Sequence, residues 1–426
     1  MRENSSRQSD GLIKHGTIML AATLIAGLSN TLFYVLMIRL LTREDFGDYN
    51  GLVSLHYILI MPFTAVQIVT ARYVSTLESR RLLGRAASLL RRSIFKLSLA
   101  AAVLMLGFLA SGPLLKVYLN INSLSAIYVL GLAVSLALLS YVLWGALQGF
   151  QYFYHYSANL IVSTAVKLGG GCLLVWLGLG VLGATGSMVL FFATTMLLAL
   201  IPLSTVLFKV VNGDQRPDSR PHYRFFWPVF VSLLAFAVFS QVDLITVKHF
   251  FDRYSAGEYS YALVLGKAFL FIPISISTAM FPKVSRRTAA EEGGTFYLLN
   301  LSLLYCLLLC GLGILICAFF SRFILSLLSP QSTDVAVALL RIFGIGVTPV
   351  ALLHILINYL LAKGRSGFLY MLVPLAIAYV IALQFWHGSL ATVIWVMASF
   401  GSVTFCLLYL VILSHEIKVP PEQARA

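Results

Sequence analysis

The chain has 426 residues, of which 59% are hydrophobic and only 11% charged, less than half the charged share of a soluble globular domain. Its apolar residues form continuous runs, such as Ser302 to Phe320, and lack the strict alternation of a transmembrane barrel, so the composition describes a helical, multi-pass membrane protein. The net charge of +14 does not indicate nucleic-acid binding, because the cations sit in short loops with few aromatics among them; in a membrane protein such an excess marks the cytoplasmic face and its anionic lipid.

A hydropathy window of about 19 residues predicts twelve spans. The first two cover 16–40 and 47–73. Between them Arg39 to Leu52 reads RLLTREDFGDYNGL, a charged stretch with the composition of a turn. Pro62 falls in the second span, and Arg72 stands at its inner end. The basic segment Ala71 to Ser93 is expected to be an interfacial helix on anionic lipid. Spans 93–112, 124–148, 157–180 and 184–210 complete a first half, with Lys167 inside the fifth. The stretch VNGDQRPDSRPHY, Val211 to Tyr223, has the Pro, Gly and charge of a linker. The expected division is a six-helix lobe over 1–212, a cytoplasmic linker over 213–223 and a second six-helix lobe over 224–426. In the second half, span 224–249 holds Asp243 and span 257–281 holds Lys267. Span 296–320 follows, then 335–361 with Arg341, His354 and Asn358, and finally 367–386 and 390–413.

Lys and Arg fix the expected orientation. Twenty-one of the thirty lie on the side of the two termini, six on the other side and three within spans. Both termini are therefore expected in the cytoplasm, with the protein in the cell membrane. No cleavable signal peptide is expected, because residues 1–15 are polar. The five cysteines (Cys172, Cys306, Cys310, Cys317 and Cys406) lie in apolar runs without metal-ligand spacing, so they are expected to pack and no metal site is expected.

The punctuation is written twice. His249 to Ala262 reads HFFDRYSAGEYSYA, and at a spacing of 210 residues Arg43 meets Arg253, Gly47 meets Gly257, Asp48 meets Glu258 and Tyr49 meets Tyr259. Val74-Ser75 meets Val284-Ser285 at the same spacing, and Pro62 lies one residue from register with Pro273. Each stretch falls in the predicted outside turn between the first and second helix of its half. Six helices per half give both halves one orientation, a parallel internal repeat of the kind from which secondary transporters are built. The fold class expected is all-α: about twelve transmembrane helices in two six-helix lobes.

The first hairpin, IRLLTREDFGDYNGL from Ile38, resembles the N-terminal signature of the polysaccharide-biosynthesis, O-antigen-type flippases. The second, Gln241 to Arg286 (QVDLITVKHFFDRYSAGEYSYALVLGKAFLFIPISISTAMFPKVSR), is similar to the corresponding C-terminal segment. These proteins belong to the multidrug/oligosaccharidyl-lipid/polysaccharide exporter superfamily. The resemblance implies two six-helix lobes about a central cavity and outward flipping of a polyprenyl-pyrophosphate-linked oligosaccharide by alternating access. It implies the lipid-linked oligosaccharide and the bilayer as partners, with a polysaccharide polymerase and glycosyltransferases of the same route as candidates. No cofactor is expected, and H⁺ or Na⁺ are the candidate coupling ions. The alternatives are a cation-coupled multidrug antiporter, a peptidoglycan lipid-precursor flippase and a membrane polysaccharide polymerase.

Charge within a bilayer is costly, so each such residue is a candidate site. Asp243 and Lys267 are expected at depths that differ by only ~5 Å at 1.5 Å per residue. They form either a structural bridge or a pair that lines a cavity and exchanges partners, Lys267 holding the pyrophosphate while Asp243 takes the ion. Their first-half counterparts are Phe33 and Tyr57, so the pair is not duplicated. Lys267, Lys167, Arg72 and Arg341 are the cations available to a pyrophosphate; Arg72 and Arg341 also fit as an edge anchor and a snorkelling side chain. His354, one turn from Asn358, is a candidate proton carrier as well as a packed core histidine. No catalytic residue is expected. Gly266-Lys267 lacks the remainder of a phosphate loop, and no outside loop is long enough for a catalytic domain.

Overall fold

The computed structural model describes residues 2–207, 220–290, 293–328 and 333–417. Residues 213–219 of the expected linker and the end of the C-terminal tail lie outside them. The chain divides into two compact units, residues 1–226 and 227–426. The first contains α1 (Arg2–Leu40), α2 (Arg43–Ile60), α3 (Phe63–Ser79), α4 (Leu83–Tyr118), α5 (Leu124–Gly149), α6 (Phe153–Leu174) and α7 (Gly180–Leu207). Helix α8 (Arg220–Phe250) leads into the second, which continues with α9 (Arg253–Gly266), α10 (Phe271–Ala289), α11 (Thr295–Leu328), α12 (Asp334–Ala362), α13 (Leu369–Phe385) and α14 (Leu390–Ile417).

Among the described residues ten segments are long and apolar enough to cross a membrane. One of them, 153–207, is two crossings. Gly178 and Gly180 take positive φ of 88° and 48°, a conformation open to glycine, and the chain reverses there. Helices α6 and α7 then pack antiparallel, with the Thr195 hydroxyl donating to Ser163 Oγ at 3.0 Å and Gly171 lying against Ser187. The shorter apolar helix α13 completes twelve. Helices α4 and α11 are among the least buried. They carry Phe95, Leu99, Leu114, Phe319 and Phe323, each more than 60% exposed, side chains that need lipid against them.

The repeat recurs in the helix ends. Helices α1 and α8 stop at Leu40 and Phe250, α2 and α9 start at Arg43 and Arg253, α5 and α12 start at Leu124 and Asp334, and α7 and α14 start at Gly180 and Leu390. Each pair is 210 residues apart. The cause is visible at the caps. Thr42 accepts from the Asp45 N–H and Asp252 from the Ser255 N–H; Ser123 accepts from Ala126 and Thr333 from Ala336. Each cap satisfies one of the orphan donors of a first turn.

These caps correct one expectation. The stretches beginning at Arg43 and Arg253 are helical, not turns, and only Leu41 and Thr42 separate α1 from α2. Asp48 and Glu258 are consequently buried inside their units. Asp48 accepts the Asn122 N–H at 3.3 Å, and Glu258 accepts the Thr333 hydroxyl. Each acid therefore sits at the N-terminus of a helix well buried in its unit, α5 or α12, where the helix dipole favours negative charge.

Helix α5 packs on α3 through Gly145 and Gly149. A Cβ at Gly145 would lie 2.6 Å from the Gln67 carbonyl oxygen, and one at Gly149 would lie 2.8 Å from that of Ala71. Small residues four apart permit this backbone approach. The second span of each half is broken. In the first the break is at Met61–Pro62, between α2 and α3. In the second a 3₁₀ turn, Lys267–Leu270, separates α9 from α10. It precedes Pro273, which has no N–H for the carbonyl four residues back and whose ring crowds that carbonyl.

Candidate functional site

The break in the second unit begins at Lys267. Its Nζ donates to Asp243 Oδ1 at 2.8 Å and to Gln241 Oε1 at 3.3 Å. The Tyr259 hydroxyl donates to Asp243 Oδ2 at 2.9 Å, so both carboxylate oxygens have partners. Asp243 is fully buried and the Lys267 side chain is 11% exposed. The two residues predicted at matching depth thus form a closed ion pair, supported by an amide and a phenol. Tyr259 belongs to the repeated Gly-acidic-Tyr motif; Gln241 had no signal beyond being polar within a span.

Lys167 lies in the first unit, and no Asp or Glu among the described residues pairs with it. Its Nζ donates to Asn30 Oδ1 at 2.7 Å and sits 5.0 Å from the centroid of the Phe33 ring, a contact worth about 2 kcal/mol when desolvated. Phe33 is the register counterpart of Asp243. At that position one unit offers a lysine a carboxylate and the other an aromatic face. The lysines come from different places, Lys167 from α6 and Lys267 from the turn after α9, so the two arrangements are not copies.

Lys167 lines a cavity of about 160 Å³. Asn30 and Tyr34 come from α1, Val53, His56, Tyr57 and Ile60 from α2, Tyr141 and Trp144 from α5, and Met188, Phe191 and Phe192 from α7. None of these is acidic. Trp144 stands edge-on to Tyr141, 5.5 Å between centroids, and to Phe191 at 6.0 Å. Its Nε1–H donates to Asn159 Oδ1 at 3.1 Å, and Asn159 in turn donates to the Thr195 carbonyl at 2.8 Å. The indole is therefore fixed from behind. His56 is 6% exposed, packs its ring 5.7 Å from Phe192, and has no hydrogen-bond partner for Nδ1 among the described residues. The cavity was not legible in the sequence beyond Lys167, since it draws on residues up to 137 positions away.

The remaining candidates are elsewhere. His354 Nδ1 lies 3.4 Å from Ser277 Oγ and 3.3 Å from Asn358 Nδ2, with its ring 4.6 Å from Phe236; it joins α8, α10 and α12 as a packed polar group. Arg341 is exposed, and its Nε donates to Ser321 at 3.2 Å. Arg72 is exposed on α3. Of the six expected site residues only Asp243 and Lys267 share a hydrogen bond among the described residues.

Among the described residues, twelve crossing helices, ordered the same way in two units, define a multi-pass membrane protein built on an internal repeat. No family model matches the sequence, and no curated protein matches it. Solved structures do. An inward-facing MATE-family multidrug resistance transporter of the MOP superfamily superposes with a TM-score of 0.69 at 14% identity, covering 95% of this chain and 99% of that one. The lipid II flippase MurJ gives 0.68 at 14% identity over 93% and 87%. The Vibrio cholerae MATE transporter VcmN gives 0.65 at 16% identity over 95% and 97%. At these identities the likeness is one of fold.

Proposed function

We propose that the chain is a flippase of the cell membrane, both termini cytoplasmic, that moves a polyprenyl-pyrophosphate-linked oligosaccharide or repeat unit from the inner to the outer leaflet by alternating access. One observation carries the reading: the cavity around Lys167 offers an ammonium and no carboxylate. A cavity built for a cationic drug would place acid there, whereas an anionic cargo supplies the counter-charge that an intramembrane lysine lacks. In this reading Lys267 is released from Asp243 to engage the pyrophosphate while Asp243 takes H⁺ or Na⁺. Arg72 and Arg341 are further contacts for the anion, and His354 is a second proton carrier. The polymerase and glycosyltransferases of the same route are the partners. The hairpin resemblance supports the polysaccharide branch over a peptidoglycan precursor.

The second reading, a cation-coupled multidrug antiporter, is favoured by the MATE structures and by the buried carboxylate of Asp243. The two separate in a strain deleted for the gene. A flippase leaves glycan-loaded polyprenyl lipid on the cytoplasmic leaflet and removes the surface polysaccharide. Normal lipid pools with new sensitivity to cationic drugs would establish the antiporter.

A further inference from the structure

The cavity in the first unit has more specific chemistry than a general anion site. We propose that it binds one pyranose ring bearing a carboxylate, so that the exported glycan contains an acidic sugar of the hexuronate class; this rests on the flippase reading. Four observations converge. Lys167 has three N–H donors, of which Asn30 takes one, and no acid lines the space. One ammonium matches a monoanion. A pyrophosphate carries more charge and more acceptor oxygens than a single lysine satisfies, and calls for clustered or bidentate cations. His56 Nδ1 is buried and unpartnered among the described residues, a condition that costs about 1–3 kcal/mol until a partner arrives; a sugar hydroxyl supplies one in either tautomer. Trp144 and Tyr141 line the space, aromatic rings of the kind whose π-systems attract the C–H groups of a pyranose, and the bond from Trp144 to Asn159 holds the indole in place without ligand. Finally, the volume of about 160 Å³ suits one ring rather than an oligosaccharide.

In the assignment, the carboxylate pairs with Lys167, a hydroxyl meets His56, and the ring lies against Trp144. The test uses the purified full chain in lipid nanodiscs and reads tryptophan fluorescence while methyl β-D-glucuronide, methyl β-D-glucoside or inorganic pyrophosphate is added. The glucuronide should saturate the signal at a concentration at least tenfold below that of the glucoside. Trp144→Phe should remove the response. Lys167→Gln should abolish the preference for the acid, and Arg322→Gln, at an exposed cation of the second unit, should leave it intact. Equal binding of the two glycosides, or no binding of either, overturns the acidic-sugar assignment. Pyrophosphate that competes with the glucuronide, and loses its binding in Lys167→Gln, would make this the site of the carrier's diphosphate and also overturn it. None of these results touches the flippase reading, which is decided by the lipid intermediates of the deletion strain. Intact glucuronide preference without lipid accumulation would sink the flippase reading and spare the site.

Discussion

Asp243 and Lys267 stabilise one another, and removing either charge strands the other within the second unit. Breaking a buried pair in this way costs about 3–5 kcal/mol, so Asp243→Asn and Lys267→Gln should each lower the melting temperature in detergent. The double variant should recover most of that loss, because no lone charge is left. Export should remain absent in all three if the pair exchanges partners during transport; normal export by the double variant would reduce the pair to a structural bridge. Lys167 predicts the opposite sign for stability. It faces Asn30 and a ring, so Lys167→Gln strands no counter-charge and removes an ammonium whose insertion alone costs about 3 kcal/mol. Its melting temperature should equal or exceed that of the parent while export falls at least tenfold. A loss of stability alongside the loss of export would place Lys167 in the scaffold and not in the cargo path.

At the scale of the element, the caps and the glycine contacts decide which helices hold their place. Thr42→Ala and Asp252→Ala should each cost about 0.5–2 kcal/mol, the usual loss for a removed N-cap. The Asp252 carboxyl is held below the usual carboxylate range, first by the Ser255 hydroxyl that donates to it at 2.6 Å and also by backbone N–H groups. A depressed folded-state value means that its contribution is present above the unfolded value and fades as pH falls through the folded one. The difference between Asp252→Ala and the parent should therefore shrink on acidification, whereas that for Thr42→Ala should not. Gly145→Ala drives a methyl into the Gln67 backbone and should lower stability by about 1–3 kcal/mol as overpacking does. Gly107→Ala, on α4 with open space around it, should be neutral or mildly stabilising. Thermal unfolding of the two glycine variants side by side checks the α3–α5 contact.

For the whole molecule, the repeat and the charge distribution make one joint prediction. Reporters fused after residues 214 and 426 should be active in the cytoplasm, and reporters fused after 121 and 331 should be active outside. An outside signal at 214 would break the six-plus-six order. Within each unit the repeat is carried by the scaffold and dropped at the candidate site. Caps, buried tyrosines and the acids at the N-termini of α5 and α12 recur every 210 residues, whereas the lysines do not. Selection for folding acts on both halves alike; under the proposed function, a cargo with distinct ends has no use for the same contact twice.

Continuous apolar runs, the bias of Lys and Arg and the 210-residue spacing determined by themselves that the chain is a helical multi-pass protein with a doubled architecture. They could do so because hydropathy and spacing are local, countable properties. Asp243 and Lys267 were also legible as partners, because they lie in adjacent spans at computable depths. The stretches that follow Thr42 and Asp252 read as turns in the sequence but are helical; an oxygen-bearing residue followed by a helical pattern is a cap signal. Only the tertiary structure decided that Lys167 meets Asn30 across 137 residues, that His56 and Trp144 share its cavity, and that Asp48 and Glu258 point inward. These depend on how helices rotate about their own axes and which faces they turn to one another, and an all-round apolar helix such as α5 carries no stripe in its sequence to say so.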